Sequence, residues 1–86
     1  MNRMKTIYTK EYCDFIQALC LERKRLGLSQ LEVANLMGMT QSDISKIESS
    51  ERRIDIYELK LLLNIYRVQS NEKLKRFVEV FFELIQ

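Results

Sequence analysis

The stretch from Gln30 to Ser49, QLEVANLMGMTQSDISKIES, constrains this chain more than any other part of it. Val33, Ala34 and Met37 recur at three- and four-residue spacing, and Ile44 and Ile47 repeat the pattern beyond Gly38. Each set therefore shares one helical face, which predicts two short helices joined by a tight turn. Ala34 is small where two helices would cross closely, and Gly38 suits the positive φ that ends the first of them. Both helix starts are marked as well. Ser29 is followed three residues later by Glu32, a capping box, and Thr40 is followed by Asp43 in a looser version.

Two helices joined in this way make a helix-turn-helix, whose second helix enters the major groove of DNA. At Leu28-Ser29-Gln30, Val33-Ala34, Met37-Gly38 and Ser45-Lys46-Ile47-Glu48 the chain resembles the phage-repressor (Cro-type, xenobiotic-response-element) helix-turn-helix family. The resemblance covers roughly half of the chain. It implies an all-α, five-helix, lambda-repressor-like DNA-binding domain, with the helix-turn-helix at helices two and three (residues 29–49). It also implies an ion pair between Glu48 and an arginine of the first helix, a position held here by Arg23. Two departures fall just after the third helix: Ser50 stands where the family usually has Gly, and Ile54 where it often has Pro. A differently shaped turn is expected there.

Once Ile44 and Ile47 face inward, Gln41, Ser42, Ser45, Lys46 and Ser49 face outward, all short or polar except Lys46. Such a surface can approach base edges closely, and a glutamine can pair bidentately with adenine. Arg52 and Arg53 follow directly, where they can reach flanking phosphates. Gln30 and Thr40 complete the expected DNA-binding set.

Apart from this face, little in the chain points to nucleic acid. The net charge of its 86 residues is only +2, so any DNA affinity must come from where the basic side chains sit. With no Pro and two Gly, connections should be short and the chain almost wholly helical. There is no His, no Gly-rich phosphate loop and no nucleophile–base constellation, which argues against an enzyme and against a Cys/His metal site, and no cofactor is expected. Cys13 and Cys20 lie in one predicted helix with Cα atoms roughly 10 Å apart, too far for a disulfide; they read as small buried hydrophobes. No run is apolar enough for a membrane span or a signal peptide, so a cytoplasmic location is expected.

The remaining segments complete a helical domain. Residues 1–8 carry Arg3 and Lys5 without a clear period, as a frayed terminus or a basic arm along DNA would. Thr9 caps a first helix with Tyr12, Phe15, Ile16, Leu19 and Cys20 on one stripe, ended by Gly27. Asp55 and Glu58 open a fourth helix whose apolar residues form two stripes, predicting burial on both sides.

The last helix, about residues 71–85, spreads its apolar positions over roughly 200°, whereas one core needs little more than 100°. The surplus predicts a homodimer built on Phe77, Val78, Val80, Phe81, Phe82, Leu84 and Ile85. A twofold pair would place two recognition helices about 34 Å apart on a palindromic operator. Small members of the family serve as phage repressors, restriction-modification controllers and antitoxins, so a toxin or a polymerase is a candidate protein partner. Leu31 and Leu36 replace the family's usual charged residues. They favour the alternative of a protein-interaction module without its own sequence readout.

Overall fold

Every helix begins where the sequence supplies a cap. In the computed structural model, which describes residues 9–67 and 71–81, the elements are α1 (Lys10–Arg25), α2 (Gln30–Met37), α3 (Gln41–Glu48), α4 (Ile56–Ile65) and α5 (Glu72–Phe81). Thr9 Oγ1 accepts from the Tyr12 amide at the head of α1, and Asn71 Oδ1 accepts from the Leu74 amide at the head of α5. Ser29 with Glu32, Thr40 with Asp43, and Asp55 with Glu58 form complete capping boxes. The Thr40–Asp43 pair is thus as fully reciprocal as the other two. All five helices form an all-α domain, with no strand among the described residues.

Three helices end in the same way. In each, one amide reaches back five residues to a carbonyl of the last turn, and the amide before it reaches back three, closing the shorter loop. At α1 these bonds are Leu28 N to Arg23 O and Gly27 N to Lys24 O; at α2 they are Met39 N to Ala34 O and Gly38 N to Asn35 O. At α3 they are Glu51 N to Lys46 O at 2.9 Å and Ser50 N to Ile47 O at 3.0 Å. The residue at the left-handed position is Gly27, Gly38 and Ser50 respectively, the last with φ +64°. The turn after α3 therefore keeps the glycine-type shape, against the sequence expectation, because its backbone bonds hold Ser50 in the left-handed region. The second departure is also absorbed. Ile54 retains the N–H a proline would lack, and that N–H donates to the buried Tyr12 hydroxyl at 3.1 Å.

The core gathers Tyr12, Phe15, Ile16 and Leu19 from α1, Val33 and Ala34 from α2, and Ile44 and Ile47 from α3. Leu59 and Leu62 of α4, Tyr66 just beyond it, and Leu74 of α5 complete it. Val33 and Ala34 are wholly buried where α2 packs on α3, so a larger residue than Ala at 34 would push the two helices apart. Two charged side chains of α1 are buried: Arg23, and Glu22, which is held by two hydrogen bonds from Arg25 at 2.7 and 2.8 Å.

α5 lies along α1, and α4 packs mainly against α2. This division corrects the expectation that α4 is buried on both sides. Leu59 and Leu62 are buried, but Ile56 and Tyr57 are 77% and 64% exposed, and Leu61 and Ile65 are only half-buried. The last helix has gone to α1 instead of covering that second stripe.

A left-handed serine carries a steric cost of about 1–2 kcal/mol that glycine lacks, partly offset by the greater freedom of glycine in the unfolded chain. Ser50→Gly should accordingly stabilise the domain by about 0.5–1 kcal/mol and raise its melting temperature by several degrees. A lowered melting temperature would show that the serine side chain contributes more than its backbone conformation costs.

Candidate nucleic-acid interface

The outward face of α3 is held by what lies behind it. Glu48, the last residue of α3, accepts from Arg23 of α1 through both oxygens: Nε to Oε2 at 2.7 Å and Nη2 to Oε1 at 3.0 Å. The third guanidinium nitrogen of Arg23 donates to the Leu28 carbonyl at 2.8 Å, in the connection between α1 and α2. Gln30 Nε2 donates to Glu48 Oε1 at 2.9 Å, and the Cys20 thiol lies 3.4 Å from the same oxygen. The two charged side chains are only 10% and 12% exposed. Burial pushes the Glu48 carboxyl up, but hydrogen bonds from Arg23 and Gln30 outweigh it and hold it below its ordinary value. Burial and the neighbouring carboxylate both raise the Cys20 pKa, so this thiol stays protonated and donates.

In front of this network, Gln41, Ser42, Ser45, Lys46 and Ser49 are all exposed. Gln41, Ser42, Ser45 and Lys46 line one shallow polar concavity with Gln30 of α2 and with Glu51, which the sequence reading did not select. The other residues of the expected set are more occupied. Thr40 is exposed, yet its hydroxyl caps α3 by accepting from the Asp43 amide. Ser49 Oγ lies 2.8 Å from Glu51 Oε2 and 3.2 Å from the Lys46 carbonyl. Gln30 has its amide nitrogen committed to Glu48, leaving the carbonyl end for any ligand.

The two arginines separate. Arg52 forms a double hydrogen bond to Glu58 at 2.8 and 3.0 Å, tying the loop to α4. That pair holds the Glu58 carboxyl below its ordinary value. Arg53 is exposed and rests its guanidinium 5.7 Å from the Tyr12 ring centre, leaving its N–H groups open to an anion.

On α5, Leu74 is buried, Val78 is half-buried against the core, and Phe77 stacks on Phe15 with ring centres 5.8 Å apart. Phe77 and Val78 thus serve their own chain's core, because α5 uses the Leu74–Phe77–Val78 stripe to bind α1. Phe77 is still 38% exposed, and Val80 is 62% exposed. The Phe81 side chain, Phe82, Leu84 and Ile85 lie outside the described residues, as do Arg3 and Lys5. Leu31 and Leu36 are exposed, and no helix among the described residues is long and apolar enough to cross a membrane.

Compared with known proteins, residues 21–73 match a family model described as helix-turn-helix, which is more than half of the chain. No curated protein matches the sequence.

Removing one member of the Arg23–Glu48 pair leaves the other charge buried without its partner. Arg23→Ala or Glu48→Ala should each cost about 3–5 kcal/mol of stability, with the double variant well short of the sum. The depressed Glu48 carboxyl also sets the pH dependence. Its stabilisation is complete above the ordinary carboxylate value and is lost as pH falls below it toward the lower folded-state pKa. Melts from pH 7 to pH 2 should therefore show a steeper acid loss in the wild type than in Glu48→Gln. Equal acid slopes would place the titration elsewhere.

Proposed function

Because the chain belongs to the XRE-type helix-turn-helix family of DNA-binding regulators, we propose that it binds a palindromic duplex operator as a homodimer and represses transcription there. The observation that carries this reading is the exposed face of α3, short and polar along its length and continuous with Gln30 in one concavity. In this reading Gln41, Ser42, Ser45 and Lys46 meet base edges in the major groove, and Arg53 meets a phosphate. Thr40 and Ser49 border the groove, Gln30 offers its carbonyl, and Arg52 holds the loop that carries Arg53.

The dimer half of the proposal rests on α5. Val80 is largely exposed on a helix whose inward stripe is already engaged, and Phe77 is only partly covered. The sequence continues with the apolar residues Phe81, Phe82, Leu84 and Ile85, which the proposal adds to the dimer surface. A twofold pairing there would bring two α3 helices to successive major grooves.

A second reading, docking on a protein partner, is favoured by Leu31 and Leu36. They are 51% and 64% exposed on α2 and belong to neither the core nor the polar face. Selection from random duplexes separates the two: enrichment of a palindrome supports the operator reading, and no enrichment supports the partner.

Two sets of variants test the assignments. Gln41→Ala should cost about 1–3 kcal/mol on the selected operator and relax the preference at one base pair of each half-site. Arg53→Ala should weaken binding to all duplexes alike and reduce the salt slope by about one. If Gln41→Ala lowered cognate and random affinities equally, the division between reader and clamp would be wrong. Sedimentation at micromolar concentration should give a dimer for the wild type and a folded monomer with weak operator binding for Val80→Glu. A monomeric wild type at high concentration would end the dimer proposal.

A further inference from the structure

Glu51 is an acid in the concavity otherwise lined by Gln30, Gln41, Ser42, Ser45 and Lys46. A carboxylate there works against phosphate binding, so its presence needs a reason. It is no structural ion pair: among the described residues no Lys or Arg lies within ion-pair distance of it. Yet it is held in place. Its backbone N–H closes the turn after α3 on the Lys46 carbonyl at 2.9 Å, directly after the left-handed Ser50. The Ser49 hydroxyl, with a single proton to give, has the charged Oε2 of Glu51 as the nearer of its two acceptors, at 2.8 Å against 3.2 Å. Oε1 takes part in no hydrogen bond among the described residues. The result is a preorganised acceptor with one oxygen to spare.

We infer that Glu51 is a specificity-determining residue that accepts a hydrogen bond from the exocyclic amino group of a cytosine in the major groove. This rests on the operator reading above and names one base within it. Among base edges in that groove, only cytosine N4 and adenine N6 offer hydrogens to a carboxylate. Adenine also presents the N7 lone pair beside its amino group, which repels a carboxylate, whereas cytosine presents none on that edge. Glu51 also acts against wrong sites. Where no amino group meets it, a desolvated anion is left facing bases and near phosphates, so the same charge that reads cytosine penalises the alternatives.

The test selects binding sites from random duplexes with the wild type, Glu51→Ala and Glu51→Gln, followed by titration on single-base variants of the selected site. The wild type should require a C·G pair at one position of each half-site and lose roughly tenfold in affinity on a change to T·A. Glu51→Ala should lose that preference alone, retain the others, and bind random duplexes more tightly. Glu51→Gln should shift the same position toward adenine, whose edge an amide matches. Glu51 is exposed on a turn, and circular dichroism should show all three proteins folded alike. If Glu51→Ala kept every base preference and only bound all sequences more tightly, Glu51 would be a repulsive charge and the inference would be overturned. A wild type that selected no sequence at all would overturn the operator reading and this inference together.

Discussion

The orientation of α3 depends on one buried ion pair. An eight-residue helix is too short to be stable in water by itself, so α3 exists and points where it does only through its contacts. Ile44 and Ile47 set it against the core, but apolar contacts alone leave freedom to slide and roll. The forked bonds between Arg23 and Glu48 are directional and little screened, and they join the end of α3 to the end of α1. Arg23 also grips the Leu28 carbonyl, and Glu48 also takes the Gln30 amide, so four segments converge on two charges. Desolvating both charges is costly, and this many well-formed hydrogen bonds are what offset it.

The same network reaches the surface through Gln30. With Nε2 committed inward, the glutamine is no longer a freely rotating polar side chain, and its carbonyl end is the one left for a ligand. Behind the loop that carries Arg53, Arg52 with Glu58 and Tyr12 with the Ile54 amide do a comparable job. The loop between α3 and α4 is thereby tied to α4 on one side and α1 on the other. Side chains that look like ligands in the sequence are in part the scaffold that steadies them.

The last two helices pack on different partners. α5 takes α1 through Leu74, Phe77 and Val78, and α4 is left with Ile56 and Tyr57 in solvent. Covering both α4 stripes within one chain would require α5 to leave Phe15 and the α1 face. The exposed positions of α4 and α5 are thus two outcomes of the same choice.

The sequence by itself determined the elements and their order. Caps at Ser29, Thr40 and Asp55, glycines at 27 and 38, and apolar spacing are local signals, read within a turn or two of the chain. For the same reason the outward face of α3 was legible once Ile44 and Ile47 were placed inside. Only the tertiary structure decided which polar residues are free. That Arg52 is spent on Glu58 while Arg53 lies open depends on where α4 arrives, and that Gln30 faces Glu48 depends on how α2 crosses α3. Glu51 entered the concavity because a serine accepted a left-handed turn, which composition does not announce. Periodicity reports which side of a helix is apolar; it cannot report which neighbour covers that side, because the neighbour is chosen by the balance of all the packings at once.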